Sequence, residues 1–137
     1  MNDTTFHFEP VELHADPRGY VLEPVDKESL QSQSNAHLVV TQPGAVRGNH
    51  YHRIGTEVAV IVGPALVRIR DDSEVRDIEV PDQKAWRFVF PPELPHAIQN
   101  NGSRPMVMIA FNTVVHDPAH PDVVRDVLIP HLGEAEG

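Results

Sequence analysis

The chain has 137 residues, 40% apolar and 23% charged, which suits one hydrophobic core and excludes a compositionally disordered polymer. Its 20 acidic and 11 basic residues give a net charge of -9, which excludes the broad basic face that nucleic acid or an anionic membrane requires. With no cysteine, disulfides, thiolate ligands and a cysteine nucleophile are excluded as well.

Thirteen prolines predict many strands and turns rather than long helices. Residues 6–14 partly alternate and predict a first strand, followed by a turn at Asp16-Pro17-Arg18-Gly19. Tyr20 to Val25 reads as a short strand, and Asp26 to Asn35 as a loop or a single helical turn. Further strands are predicted at 36–41, 46–52, 57–62, 65–70, 75–80 and 86–90, punctuated by Pro43-Gly44, Gly63-Pro64 and Pro91-Pro92. His96 to Asn100 and Met106 to Asn112 read as two strands of a hairpin joined at Asn101-Gly102. Pro121 to Leu128 reads as a helix with proline at its first position. Eight to ten short, closely spaced strands indicate an all-β sandwich or barrel, jelly rolls included. A single domain over 1–130 and a frayed tail over 131–137 are expected. The first eight residues lack a signal-peptide pattern, and no apolar run approaches the roughly 20 residues of a membrane helix. A cytoplasmic protein is therefore expected.

Nine histidines invite a metal hypothesis. His50 and His52 stand at i and i+2, so in a strand both imidazoles face one side. Glu57 follows after a turn containing Gly55, which frees it from the strand's alternation and lets it return to the same pocket. His96 supplies a third nitrogen. Two or three imidazoles with one carboxylate suit zinc first, with iron, manganese and nickel as alternatives.

Gly48 to Glu57, with Gly63 after it, resembles the first cupin motif: glycine, His-x-His, then glutamate. Pro91 to Asn100 resembles the second: proline, histidine five residues on, asparagine four after that. Glu93 stands where that motif usually has glycine. The resemblance covers about residues 36–112. It implies a double-stranded β-helix with His50, His52, Glu57 and His96 lining one end of the barrel.

Two further segments, Asp16 to Glu23 and Pro43 to His52, resemble nucleotide-sugar cupins. The likeness is to the cupin domain of bifunctional enzymes of capsular-polysaccharide synthesis, where a zinc-bound cupin epimerises C3 of a UDP-linked 4-keto sugar. Asn112 to Val123 is similar to that domain's end. In those enzymes a reductase precedes the cupin; none is present here, so a partner reaction would come from another protein. A second group, the dTDP-4-keto-sugar 3,4-ketoisomerases, is similar around Arg47-Gly48 but carries glutamine where Glu57 stands and works without metal.

Epimerising beside a ketone removes an α-proton and stabilises an enolate. Tyr51 and His37 are the candidate bases, and Arg47, Arg18 and Asn49 the candidate substrate contacts. The expected ligand is a nucleotide sugar and the expected assembly a homodimer, through edge strands or the apolar segment Phe6 to Leu13. An Fe(II) dioxygenase and a non-catalytic sugar or metabolite module are the competing readings.

Overall fold

The computed structural model describes residues 5–130; the expected tail at 131–137 lies outside them. Twelve strands and one short helix run in the order β1 (His7–Val11), β2 (His14–Asp16), β3 (Gly19–Val21), α1 (Lys27–Gln31), β4 (Asn35–Thr41), β5 (Val46–His52), β6 (Glu57–Val62), β7 (Ala65–Asp71), β8 (Glu74–Val80), β9 (Ala85–Phe90), β10 (His96–Gln99), β11 (Met106–Asn112) and β12 (Val123–Arg125). Two five-stranded antiparallel sheets face each other, β1-β9-β6-β11-β4 and β12-β5-β10-β7-β8, with β2 and β3 as a separate hairpin. This is the expected double-stranded β-helix. Among the described residues no helix is long and apolar enough to cross a membrane.

Strand alternation decides what fills the space between the sheets. On β6, Ala59 and Ile61 point inward and are fully buried. On β7, Ala65, Val67 and Ile69 do the same from the other wall. Phe88, Phe90, Ile98, Met106 and Met108 complete this core. A smaller cluster of Val25, Val58, Val89 and Phe111, with Ile109 packed against it, covers part of the first sheet's outer face.

Three local expectations are corrected. Residues 121–128 form no helix: Val123, Val124 and Arg125 pair with His52, Tyr51 and His50 on β5. The exposed backbone edge of β5 supplies ladder partners that a short, valine-rich segment cannot refuse. Asn101-Gly102 is not a hairpin turn, because β10 and β11 lie in opposite sheets. The buried Asn100 side chain builds a corner instead, accepting from the Gly102 N–H (2.9 Å) and donating to the carbonyls of Thr41 (2.9 Å) and Arg104 (2.8 Å). The strand expected over Tyr20 to Val25 stops at Val21, and the chain turns over the first sheet to bury Val25.

Glu93 takes a left-handed backbone, φ 67°, so the turn before His96 keeps the geometry glycine would give it. Its N–H donates to the His52 carbonyl at 2.7 Å, tying that turn to β5.

Candidate metal centre and its pocket

β5 presents His50 and His52, and its neighbour β10 presents His96 directly opposite His50. A bulge follows. His96 pairs with His50 but Ala97 pairs with Gly48, which leaves Asn49 as the extra residue, at φ 56°. Gly48 itself sits at φ 84°, and a Cβ there would lie 2.8 Å from the His96 carbonyl oxygen. Only glycine allows the two ligand-bearing strands to approach this closely. Glu57 arrives from the opposite wall: β6 belongs to the other sheet, reached by the turn at 53–56. Glu57 shares the inward face of Ala59 and Ile61, so the barrel's two walls close on one point.

The geometry there is tight. The Nε2 atoms of His52, His96 and His50 lie 2.8, 3.4 and 3.9 Å from the same Glu57 oxygen, Oε1. One donor atom from each of the four side chains falls within 4.8 Å of every other. His96 is 1% exposed, and its ring stacks on Phe90 at 4.1 Å between centroids and 6° between planes. His96 Nδ1 lies 2.9 Å from the Leu94 carbonyl, which can only accept, so Nδ1 carries the proton. Nε2 then holds a lone pair, is buried, and has no hydrogen-bond partner. A lone pair and a carboxylate oxygen facing each other in a buried space call for a cation between them. The donor set fits a divalent ion with open positions.

Charge in the cluster follows the same logic. Burial alone would raise the Glu57 pKa, but the imidazoles of His50, His52 and His96 gathered around its carboxylate outweigh it and hold the carboxyl well below its usual range. Burial pushes His50 down, against an opposing pull from Glu57. His52 is also pushed down by burial, yet Glu57 and Asp122 together leave its pKa raised. Without metal, His52 is thus the group favoured to carry the extra proton.

The cluster forms the floor of a cavity of about 400 Å³. His37 of β4 and Arg47 of β5 line it with the four clustered residues. Arg47 is fixed by bonds from Nε to Thr41 Oγ1 (3.2 Å) and from Nη2 to the Val40 carbonyl (2.9 Å). Among the described residues both acceptors are neutral, so its charge remains for an anionic ligand. The other three candidates are not brought here. Arg18 is exposed in the β2–β3 hairpin and paired with Asp16 at 2.6 Å. Tyr51 alternates onto the other side of β5 and does not line the cavity. The bulge turns Asn49 away, and its side chain is engaged elsewhere: Oδ1 accepts from the N–H groups of Leu128 (2.9 Å) and Ile129 (3.0 Å), while Nδ2 donates to the Ile129 carbonyl (3.0 Å).

Residues with no role in the sequence reading also line the cavity: Asn35, Asn112, His116 and Asp122 among its polar groups, and Val39, Ile98, Met108 and Val115 among its apolar ones. Asp122 went unseen because its segment reads as a helix. His116 lies in a loop that carries no motif.

Comparison with known proteins agrees with this architecture. Residues 14–124 match the family model described as the polysaccharide biosynthesis C-terminal domain. A UDP-2-acetamido-2,6-beta-L-arabino-hexul-4-ose reductase of Pseudomonas aeruginosa is 30% identical over 82% of this chain, which spans 30% of that protein's length. The spore coat polysaccharide biosynthesis protein SpsL of Bacillus subtilis is 26% identical over 82% of this chain and 81% of its own. Among solved structures, the capsular polysaccharide assembling protein CapF of Staphylococcus aureus superposes with a TM-score of 0.65 at 24% identity, covering 87% of this chain and 35% of that one. A double mutant of the QdtA 3,4-ketoisomerase of Thermoanaerobacterium thermosaccharolyticum, in complex with TDP, gives a TM-score of 0.69 at 18% identity over 92% of this chain and 90% of that one.

Proposed function

Since this chain belongs to the polysaccharide biosynthesis C-terminal domain family, we propose that it is a metal-dependent epimerase or isomerase acting beside the ketone of a nucleotide-linked keto sugar. The observation that carries the reading is the convergence of three imidazoles on one Glu57 oxygen, with His96 Nε2 buried and unpartnered, at the floor of a cavity. The names of the relatives support it: a reductase of a UDP-linked hexulose and a ketoisomerase bound to TDP.

Each residue then has a task. His50, His52, Glu57 and His96 hold one divalent ion, zinc by preference for this nitrogen-rich set. Such an ion supplies Lewis-acid stabilisation of the oxygen on which charge develops when an α-proton leaves. Val39, Ile98, Met108 and Val115 keep water from the sugar ring. Arg47, at the cavity wall with no carboxylate partner among the described residues, receives a phosphate oxygen of the nucleotide. His37 is exposed on the opposite sheet and lines the same cavity, which makes it the base candidate that a substrate could reach.

Two measurements test this. Purified protein should carry close to one zinc per chain, and His50→Ala and His96→Ala should abolish that uptake. Incubation with UDP- and dTDP-linked 4-keto sugars in deuterated water should place deuterium at the carbon beside the ketone, as read by proton NMR. Bound metal without any exchange would leave a sugar-binding module, and absence of both would end the proposal.

A further inference from the structure

Beyond the four metal-binding residues, one carboxylate in the cavity has geometry that the proposed function does not yet use. Asp122 is 13% exposed and stands at the start of the segment that closes the edge of β5. Its Oδ1 accepts from the Ile54 N–H and its Oδ2 from the Gly55 N–H, both at 2.9 Å. Its own carbonyl accepts from the Arg53 N–H at 2.8 Å. The turn between the ligand strands β5 and β6 is therefore wrapped around this one residue. Gly55 is fitted to it, since a Cβ there would lie 2.8 Å from Asp122 Oδ2 and 2.6 Å from Asn112 Oδ1. The same Oδ2 faces Nδ1 of His52 at 3.6 Å, on the side of the ring opposite Glu57.

We infer that Asp122 is the positioning residue of the metal centre, fixing the ring orientation and tautomer of His52 while setting the turn that delivers Glu57. This rests on the metal reading above. With Nε2 committed to an ion, the remaining imidazole proton lies on Nδ1 and faces Asp122 Oδ2 at 3.6 Å, a charge contact that would shorten into a carboxylate–histidine–metal relay and raise the ligand's basicity. His96 meets the same need with a neutral acceptor, the Leu94 carbonyl. His52 thus has the only carboxylate-backed ring of the three among the described residues.

The inference separates from a purely structural role by comparison with a second pin on the same segment. Arg70 Nη1 bonds Asp126 Oδ2 at 2.7 Å, anchoring the segment without touching His52. Zinc affinity, measured by competition with a chromophoric chelator, should fall 10- to 100-fold in Asp122→Asn and Asp122→Ala. It should change less than 3-fold in Arg70→Met. The visible bands of the cobalt-substituted protein should shift in the Asp122 variants and not in Arg70→Met. The isosteric Asp122→Asn keeps one backbone acceptor and serves if Asp122→Ala does not fold. Wild-type affinity and spectrum in Asp122→Asn would overturn the inference, as would equal losses in Asp122→Asn and Arg70→Met. A wild-type protein that takes up no zinc or cobalt removes the metal reading itself, and this assignment with it.

Discussion

Left-handed backbone at a residue other than glycine has a cost, and Glu93 bears it at φ 67° in the turn that delivers His96. The Glu93 N–H bond to the His52 carbonyl holds that conformation. Glu93→Gly should keep the bond and relieve the strain, stabilising the protein by roughly 0.5–1 kcal/mol in urea unfolding, once the greater freedom of glycine in the unfolded chain is counted. At Glu57 the direction of the pKa sets a pH dependence. A carboxyl held well below 4.5 in the folded state contributes stability above pH 4.5, and that contribution is lost as pH falls from there through the folded value. His50, pushed down by burial, adds a loss in the same direction that begins below pH 6.5. Melting temperatures of metal-free protein should therefore drop between pH 6.5 and 4 and continue falling below it, less steeply in Glu57→Gln. Zinc uptake, which competes with protons for the same atoms, should strengthen as pH rises over that range. The four clustered residues were legible in the sequence because His-x-His fixes a common face and Gly48, Gly63 and Pro91 punctuate it. Asp122 was not, because a single aspartate after a proline carries no spacing signal.

At the scale of elements, the sequence reading succeeded where alternation is strict and failed where tertiary pairing overrides local preference. β6, read as 57–62, has those bounds in the structure. Residues 121–128 have helical periodicity, yet an unfilled edge on β5 draws them into a ladder. What fastens that segment is Asn49, whose side chain makes three bonds to Leu128 and Ile129 and whose carbonyl accepts from the Asp126 N–H at 2.8 Å. Asn49 is 7% exposed, so the loss of its amide leaves buried backbone groups unpaired. Asn49→Ala should cost about 3 kcal/mol in chemical denaturation, adding left-handed strain to lost hydrogen bonds. Asn49→Gly should recover about 1 kcal/mol of that, because glycine accepts φ 56° freely. Identical losses in the two variants would remove backbone strain from the explanation.

At the scale of the molecule, the sheet assignment explains the site: the strands bearing His50, His52 and His96 form one wall, and the strand bearing Glu57 the other. No local pattern reveals which sheet a strand joins, which is why Asn101-Gly102 reads as a hairpin turn and proves to be a crossing between sheets. The same assignment bears on assembly. The N-terminal segment is paired within its own chain, β1 on β9, and Phe6 and Phe8 stack on Phe88. The first sheet's outer face is covered around Val25, but toward β4 it exposes Leu38 (71%), Val40 (47%) and Val107 (37%) side by side. A second copy of the chain, were it to bind here, would cover this apolar face. Burying these side chains against a partner would remove apolar surface from water, the term that favours self-association. Light scattering should give about twice the 15.3 kDa chain mass, and Leu38→Lys with Val40→Glu should return the protein to that mass with its zinc content unchanged. Because Leu38 and Val40 alternate away from His37 and Val39, which line the cavity, loss of the dimer should leave the metal centre intact. A wild-type protein that stays monomeric up to hundreds of micromolar would show that this face has no such role.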